Sequence, residues 1–363
     1  MNFKKLRYHI LVSAASLMFA AGMSSCDVIY EDGGDGCDVH HIMRFKYDMN
    51  LKWANAFPAE VKSVNLYAFD SNGVFVKEYM RSGSALADPS FGIDLDLPAG
   101  DYKFLAWCGL ENQGATEESF SLTQPEIGVT TIDEMICSLN TQKVGVYSQD
   151  EGVYSTRELY FLYWDYIEET LIDNNDGSTY EYLMSLTKDT NHIRIILQEL
   201  SGDNLNPSDF EFTIDDANGL ISWDNSMLGD TMITYEPWSQ INDEVGVGKI
   251  DVLDGGLTYV KGIVADMSTS RLMASMQNNV MLTITNAETK EVVARIPVIQ
   301  YFLLAKGYYE RAYGHMMTDQ EFLDREDEYS MTLFLINGRW LDAYIDIQSW
   351  RIVLHDYEVG GGR

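Results

Sequence analysis

The sequence predicts an all-β protein of two β-sandwich domains in tandem, with one short helix in the C-terminal domain. Three observations support this fold class. Apolar and polar residues alternate over short segments, which is the period of half-buried strands. Turn signals such as Asn-Gly separate these segments, as in sandwich folds. Hydrophobic residues make up 46% of the 363 residues, so a substantial core can form.

The first 25 residues predict a signal peptide that is followed by a lipid-modified cysteine. Lys4, Lys5 and Arg7 precede the apolar stretch 10–21, which is too short to span a bilayer at about 20 residues. Small residues stand directly before Cys26, as in a bacterial lipobox, although methionine takes the place where leucine is more usual. We therefore expect Cys26 to become the first mature residue and to carry acyl chains. The alternative is an ordinary secreted protein with an incidental cysteine.

The predicted domain organisation follows from composition. Residues 26–36 include four acidic residues and three glycines and predict a flexible tether. The turn-rich segment Leu171–Glu181 suggests a boundary between an N-terminal sandwich at 37–182 and a C-terminal sandwich at 183–363. No later apolar run reaches 18 residues, so the sequence predicts no membrane-spanning helix.

The charge of the chain excludes one class of partner. Removing the signal peptide takes away three basic residues and leaves 22 basic against 56 acidic residues, a net charge of −34. Phosphate groups repel a chain of this charge, so nucleic acid is not expected as a partner.

In the N-terminal domain the strands follow one another closely. Ile42–Tyr47 predicts the first strand, and the Asn-Gly within Asp70–Gly73 predicts a hairpin between two β-rich runs. Apolar residues alternate with aspartate over 93–97, a turn follows at 98–101, and a returning strand covers 102–107.

The C-terminal domain repeats this pattern. Thr213–Ser222 predicts a second hairpin, and further strands are expected at Val280–Thr285 and Glu291–Val298. A capping box of Thr and Glu opens a predicted helix over Thr318–Tyr329. Alternation around 345–348 gives one closing strand, and Arg351–Val359 gives the last.

The residues point to neither catalysis nor a bound metal or cofactor. The sequence contains no H-E-x-x-H, G-x-S-x-G or Walker motif. His40 and His41 are neighbours on a predicted strand and would face opposite sides. Asp173–Gly177 fails the spacing of a calcium loop and fits a turn. The unlipidated cysteines at 37, 108 and 137 allow at most one disulfide, and the sequence leaves its existence and pairing open.

Several motifs resemble the fimbrial anchor-subunit (FimB-type) family of Bacteroidia type V pili. The segment from Cys37 to Val76 matches its F-x-Y-x-x-N, A-x-A-F and V-x-x-V-x-L-Y-x-F-D-x-x-G motifs. "DLPAGDYKFLAWCGL" matches L-P-x-G-x-Y-x-F-x-x-W-x-G-L, and "QEFLDR" matches Q-E-Y-L-D-R with Phe322 in place of tyrosine. The segment Tyr235–Asp266 matches no family motif.

The resemblance implies two transthyretin-like sandwiches in a structural, non-enzymatic surface lipoprotein. Such a protein would be held in the outer membrane by acyl chains, here on Cys26, and would bind a fimbrial stalk subunit and limit the length of the fimbria. The runner-up function is a lipid-tethered adhesin or glycan-binding module on the same fold.

A trypsin-like or arginine-specific protease would have no target in the tether, because the first basic residue after the signal peptide is Arg44, inside the first strand. We therefore expect the first strand to stay in place. The chain would then lend a strand to its neighbour rather than receive one. The alternative, equally open from the sequence, is that the last strand stays in its own domain. The residues expected to bind the partner are Ile352, Val353, Leu354, Tyr357 and Val359.

Overall fold

The computed structural model describes nine segments of the chain, which contain 23 strands and four α-helices. These segments are residues 39–110, 118–143, 152–174, 176–199, 204–229, 231–250, 257–336, 339–347 and 350–354. His40–Asp173 and Thr179–Arg363 form one compact unit, which holds every strand and helix named below. Asn174–Ser178 is grouped with residues 1–39 in a second unit and contains a turn, in which the Asp176 carboxylate accepts a hydrogen bond from the Ser178 N–H (2.9 Å).

The strands and helices have the following bounds. The first twelve strands are β1 (His40–Lys46), β2 (Ser63–Asp70), β3 (Phe75–Ser82), β4 (Gly92–Asp94), β5 (Gly100–Cys108), β6 (Phe120–Leu122), β7 (Ile136–Leu139), β8 (Gln142–Lys143), β9 (Val153–Ser155), β10 (Tyr163–Leu171), β11 (Thr179–Ser185) and β12 (Thr187–Lys188). The others are β13 (Thr190–Glu199), β14 (Phe210–Asp216), β15 (Leu220–Ser222), β16 (Ile233–Tyr235), β17 (Ser239–Ile250), β18 (Leu257–Ser270), β19 (Met281–Asn286), β20 (Val292–Pro297), β21 (Glu328–Ile336), β22 (Arg339–Ile347) and β23 (Trp350–Leu354). The helices are α1 (Phe57–Glu60), α2 (Val298–Leu303), α3 (Lys306–Tyr313) and α4 (Asp319–Arg325).

These strands form five sheets. Sheet A has the order β11-β1-β4, sheet B β12-β10-β5-β2-β3, and sheet C β15-β7-β6. Sheet D has the order β17-β18-β13-β21-β22-β23, and sheet E β20-β19-β14-β16-β9-β8. The strand-rich architecture confirms the predicted all-β sandwich class.

Sheet B is covered on both faces, which the sequence did not predict. Successive side chains of a strand point to opposite faces. In β2, Leu66 and Ala68 lie in the core between sheets A and B, whereas Tyr67 and Phe69 lie in a larger core shared with sheets C, D and E. All four are fully or almost fully buried, so the strand reads as a continuous apolar run.

One predicted hairpin is correct and the other is wrong. The Asn-Gly turn after Asp70 joins β2 and β3, which pair antiparallel. The Asn-Gly at 218–219 joins β14 and β15, but β15 pairs with β7 in sheet C while β14 belongs to sheet E. The reason is that Asn218 is buried, where its amide accepts from the Tyr235 hydroxyl (2.5 Å) and donates to the Arg271 carbonyl (3.0 Å). The chain therefore leaves sheet E at this point.

The predicted C-terminal helix is present as α4, with Thr318 as its N-cap accepting from the Glu321 N–H (3.0 Å), but it ends at Arg325 rather than at Tyr329, because β21 begins at Glu328. The sequence analysis did not single out α2 and α3, which precede it. The predicted strand Glu291–Val298 ends at Pro297, and the apolar residues after it form the buried side of α2. Strand-like composition therefore continues into a helix that packs on the core.

The last predicted strand, Arg351–Val359, corresponds to β23, of which Trp350–Leu354 is described. The expected domain boundary after residue 182 falls inside β11, which pairs with β1 in sheet A. The division into two domains stays a prediction.

Candidate tether and strand-exchange site

The predicted functional residues fall at the two ends of the chain. Cys26 and the tether lie outside the described residues, as do Tyr357 and Val359. Ile352, Val353 and Leu354 lie in β23, at one edge of sheet D. The described parts that bear on strand exchange are therefore β1 and β23.

Strand β1 is paired along both of its edges. On one side His40–Lys46 pairs in parallel with the whole of β11, and on the other side Ile42–Arg44 pairs antiparallel with β4. Met43 and Phe45 are buried beneath it. Within the described part of the chain, β1 therefore occupies the position between β11 and β4 that a neighbour's strand would need in sheet A.

Arg44, the first basic residue after the signal peptide, lies in the middle of β1. Its guanidinium is half-buried, contacts the Glu181 carboxylate at 2.6 and 3.1 Å, and donates to the Ser90 carbonyl. Proteolysis needs an accessible backbone, which a paired central strand does not offer. That a protease does not cut at Arg44 stays a prediction.

Sheet D has two edge strands, and they differ in how they are covered. At β17, the Gln240 amide donates to the carbonyls of Pro207 (2.6 Å) and Phe210 (2.9 Å), and the Asn242 amide donates to that of Leu205 (2.8 Å). A loop is therefore fastened along β17, which is one way in which proteins protect an edge.

Strand β23 pairs only with β22 among the described residues. Trp350–Leu354 runs antiparallel to Ala343–Ile347, and β22 in turn runs antiparallel to β21. Strand β23 therefore runs in the same direction as β21 and β13. Its other edge carries the main-chain groups that strand addition would use.

The buried Lys188 links three segments of the chain just before β13 of sheet D. The side chain of Lys188 is 3% exposed, and its Nζ contacts Glu60 Oε2 at 2.8 Å and Asp327 Oδ2 at 2.5 Å. The same ammonium lies 3.9 Å from the ring centroid of Phe161 and 5.3 Å from that of Tyr47. These contacts join β12, α1 and the segment between α4 and β21.

The next residue, Asp189, is completely buried. Its carboxylate accepts from the Asn225 amide (3.1 Å) and lies 3.5 Å from Arg271 Nε, and Arg271 also contacts the Asp324 carboxylate at 2.8 Å. Burial raises the pKa of Asp189 to about 7, and Arg271 opposes that shift. We call the contacts of residues 188 and 189 the junction network. The sequence analysis did not identify it; the only signal was a Lys-Asp pair between two strands.

An exposed ring cluster lies on one side of this region. Trp53 has a positive φ of 52° and is 39% exposed. The Arg325 guanidinium lies 4.1 Å from its ring centroid, and the rings of His315 and Tyr313 lie at 5.0 and 6.2 Å. The Asn50 amide donates to the carbonyls of Tyr47 (3.0 Å) and Ala54 (2.8 Å), which fixes the loop that carries the tryptophan.

The described residues offer little for metal or thiol chemistry. No group of three His, Cys, Asp or Glu side chains in the described segments is placed to hold a metal ion. Cys108 and Cys137 are free and buried, and burial raises the pKa of both thiols. No helix in these segments is long and apolar enough to cross a bilayer.

A sequence-family model and a known relative both identify similarity to fimbrial anchor proteins. The family model of fimbrillin-A associated anchor proteins Mfa1 and Mfa2 matches residues 34–356. The minor fimbrium anchoring subunit Mfa2 of Porphyromonas gingivalis is 22% identical over 240 residues, which cover 62% of this chain and 66% of that protein, just under two thirds of its length.

Solved structures show the same fold. A candidate adhesin from Bacteroides thetaiotaomicron matches with a TM-score of 0.73 and 30% identity, covering 89% of this chain and 100% of that one. A candidate polysaccharide-binding protein from the same species gives 0.69 and 26%, covering 88% and 99%. The Mfa2 anchor protein of P. gingivalis gives 0.58 and 16%, covering 88% and 100%, which supports the fold alone.

Proposed function

Because this chain belongs to the family of fimbrillin-A associated anchor proteins, we propose that it holds a fimbria on the outer membrane through acyl chains on Cys26. In this proposal it binds a fimbrial stalk subunit at the cell surface and ends or limits assembly by lending its C-terminal strand. The family is one of structural fimbrial proteins, and no catalytic role is proposed.

The pairing of β1 is the observation that supports this direction of assembly. A subunit that receives a strand needs a gap in a sheet, and sheet A has its central strand paired on both sides. A subunit that lends a strand needs one at an edge. Strand β23, with Ile352, Val353 and Leu354, is at the edge of sheet D, and it precedes the proposed contact residues Tyr357 and Val359.

The proposal is tested by comparing where fimbriae are found in two variants. In cells with Cys26→Ala, acylation is lost, and fimbriae should appear in the medium with the unacylated chain still bound to them. In cells with a deletion of residues 351–363, the acylated chain should stay on the cell while fimbriae are released without it. Fatty-acid labelling, fractionation and immunoblotting of both components measure these outcomes.

Deletion of the glycine-rich residues 360–363 alone is the matched control, and it should keep fimbriae on the cell. Equal fatty-acid labelling of the wild type and Cys26→Ala would exclude the lipid anchor. Retention of fimbriae by the chain that lacks 351–363, or its failure to fold as seen by circular dichroism, would exclude strand lending.

A second candidate function, a lipid-tethered glycan-binding adhesin, is favoured by the exposed ring cluster. Exposed aromatic side chains combine a large apolar face with a polar tip, which suits them to binding surfaces. Trp53 lies on a loop and Tyr313 ends α3, with their ring centroids 6.2 Å apart, and a solved relative is a candidate polysaccharide-binding protein. A glycan array with the purified chain and its Trp53→Ala variant separates the two functions. An adhesin should bind glycans and lose this binding in the variant, whereas a pure anchor should show no binding that depends on Trp53.

A further inference from the structure

The chain enters sheets A and B at His40, at one end of the two sheets. The carbonyl of His41, the second residue of β1, accepts from the Leu95 N–H at 2.8 Å, just before the turn that leads to β5. The His41 side chain is close to Ile172, the residue after β10. The entry point of the chain therefore lies beside the ends of β10 and β5.

Strands β10, β5 and β2 of sheet B each have one end at the same level. Gly100 of β5 pairs with Leu171 of β10, and Tyr102 pairs with Asp70, the last residue of β2. The turn from β2 to β3 is consequently at this end too. Together with residue 172 and the loop 126–131, these turns form what we call the tether-proximal end.

The loop 126–131 is fastened to this end by backbone hydrogen bonds. The Phe75 N–H donates to the Thr130 carbonyl (2.8 Å), and the Gly128 N–H donates to the Phe75 carbonyl (2.9 Å). The loop is thus held beside the β2–β3 turn and the first residue of β3.

That tip carries apolar side chains in an exposed position. Ile127 is 70% exposed and Val129 is 62% exposed, on either side of Gly128, whose φ is 74°. Ile172 is 43% exposed at the other side of the same end. Since three strand spacings of about 4.8 Å separate β10 from β3, the apolar residues extend over roughly 15 Å.

We propose that the tether-proximal end rests on the bilayer surface, with Ile127 and Val129 inserted at the level of the lipid headgroups. The inference rests on the proposed acylation of Cys26. Cys26 lies 14 residues before His40 along the chain, which spans at most roughly 50 Å. Acyl chains at that distance keep this end close to lipid, where a small apolar tip gains by partitioning out of water.

The charges at this end specify the kind of lipid. Asp101, Glu126 and Asp173 are exposed carboxylates around the apolar residues and outnumber the half-buried Lys103, whose ammonium lies beside Gly73 of the β2–β3 turn. An anionic membrane would repel them. The surface that fits is therefore zwitterionic, such as one of phosphatidylethanolamine and phosphatidylcholine headgroups.

The test uses the acylated full chain in vesicles of these two lipids. A bimane label is placed by Ile127→Cys in a Cys37→Ser background, and a matched label by Met316→Cys, where the native residue is 79% exposed and follows His315, whose ring contacts Trp53 in the loop after the opposite end of β1. With brominated acyl chains, the label at 127 should lose at least half of its fluorescence and that at 316 less than a tenth. Adding Val129→Asp, or replacing a third of the lipid by phosphatidylglycerol, should reduce the quenching at 127.

Flotation with the vesicles separates the two proposals. A chain that floats and shows equal quenching at 127 and 316 overturns the contact with the bilayer and leaves the lipid anchor intact. A chain that carries no acyl groups and does not float overturns the anchor, and this inference with it.

Discussion

Replacing Lys188 by methionine is expected to lower the free energy of unfolding by about 3 kcal/mol. Methionine keeps an unbranched apolar side chain that ends one atom short of Nζ, so the contacts of the ammonium with the Phe161 and Tyr47 rings are removed as well. What is lost is the cation between Glu60 and Asp327. Their carboxylates are 29% and 21% exposed, so water relieves part of the repulsion and the loss stays below the upper end for fully buried pairs.

Lys290→Met is the matched control for this prediction. Its ammonium contacts Glu211 at 2.6 Å, but the two side chains are 65% and 47% exposed. The expected loss is below about 1 kcal/mol. Urea unfolding of the unacylated Cys26→Ala chain measures both. Equal midpoints for the two methionine variants would mean that the junction network does not stabilise the fold.

Gly109→Ala should destabilise the protein by about 3 kcal/mol or more. Gly109 has a φ of 87°, which favours glycine, and an added Cβ would come within 1.9 Å of the Phe161 carbonyl oxygen. Its N–H donates to the Ser63 carbonyl (2.9 Å), so the backbone has little freedom to move aside. Thermal unfolding followed by circular dichroism measures the effect.

Gly128→Ala separates the two causes of this loss. Gly128 has a similar φ of 74° but no heavy atom within 4 Å of the position of a Cβ. Only the backbone conformation should then count, at about 1 kcal/mol. If both alanine variants melt at the same temperature, the close approach to Phe161 is not what requires glycine at 109.

Local patterns in the sequence were enough to predict much of the fold. Asn-Gly after Asp70 and the capping pair of Thr318 and Glu321 predicted a hairpin and a helix start that the structure contains. The same Asn-Gly signal failed at 218–219, because Asn218 is bound within the core. Which strands share a sheet depends on contacts between distant segments, and no single stretch of sequence reports these.

The candidate site was predictable to a smaller extent. The absence of lysine and arginine between the predicted signal peptide and Arg44, and the apolar last strand, directed attention to β1 and β23. The junction network was not predictable, because Lys188 and Asp189 read as polar residues at a turn, and their partners Glu60, Asp327 and Arg271 are far away in sequence. To predict which of these charges are paired, the tertiary fold must be known.

The parallel pairing of β1 with β11 bears on how the molecule would withstand pulling. Tension on a fimbria would be transmitted to the membrane through the chain before His40, along the axis of β1. The hydrogen bonds to β11 lie across that axis and hold seven residue pairs in register. They would have to shear together rather than open one at a time. We therefore expect the lifetime of the anchored state under load to be set by one large barrier to forced unfolding.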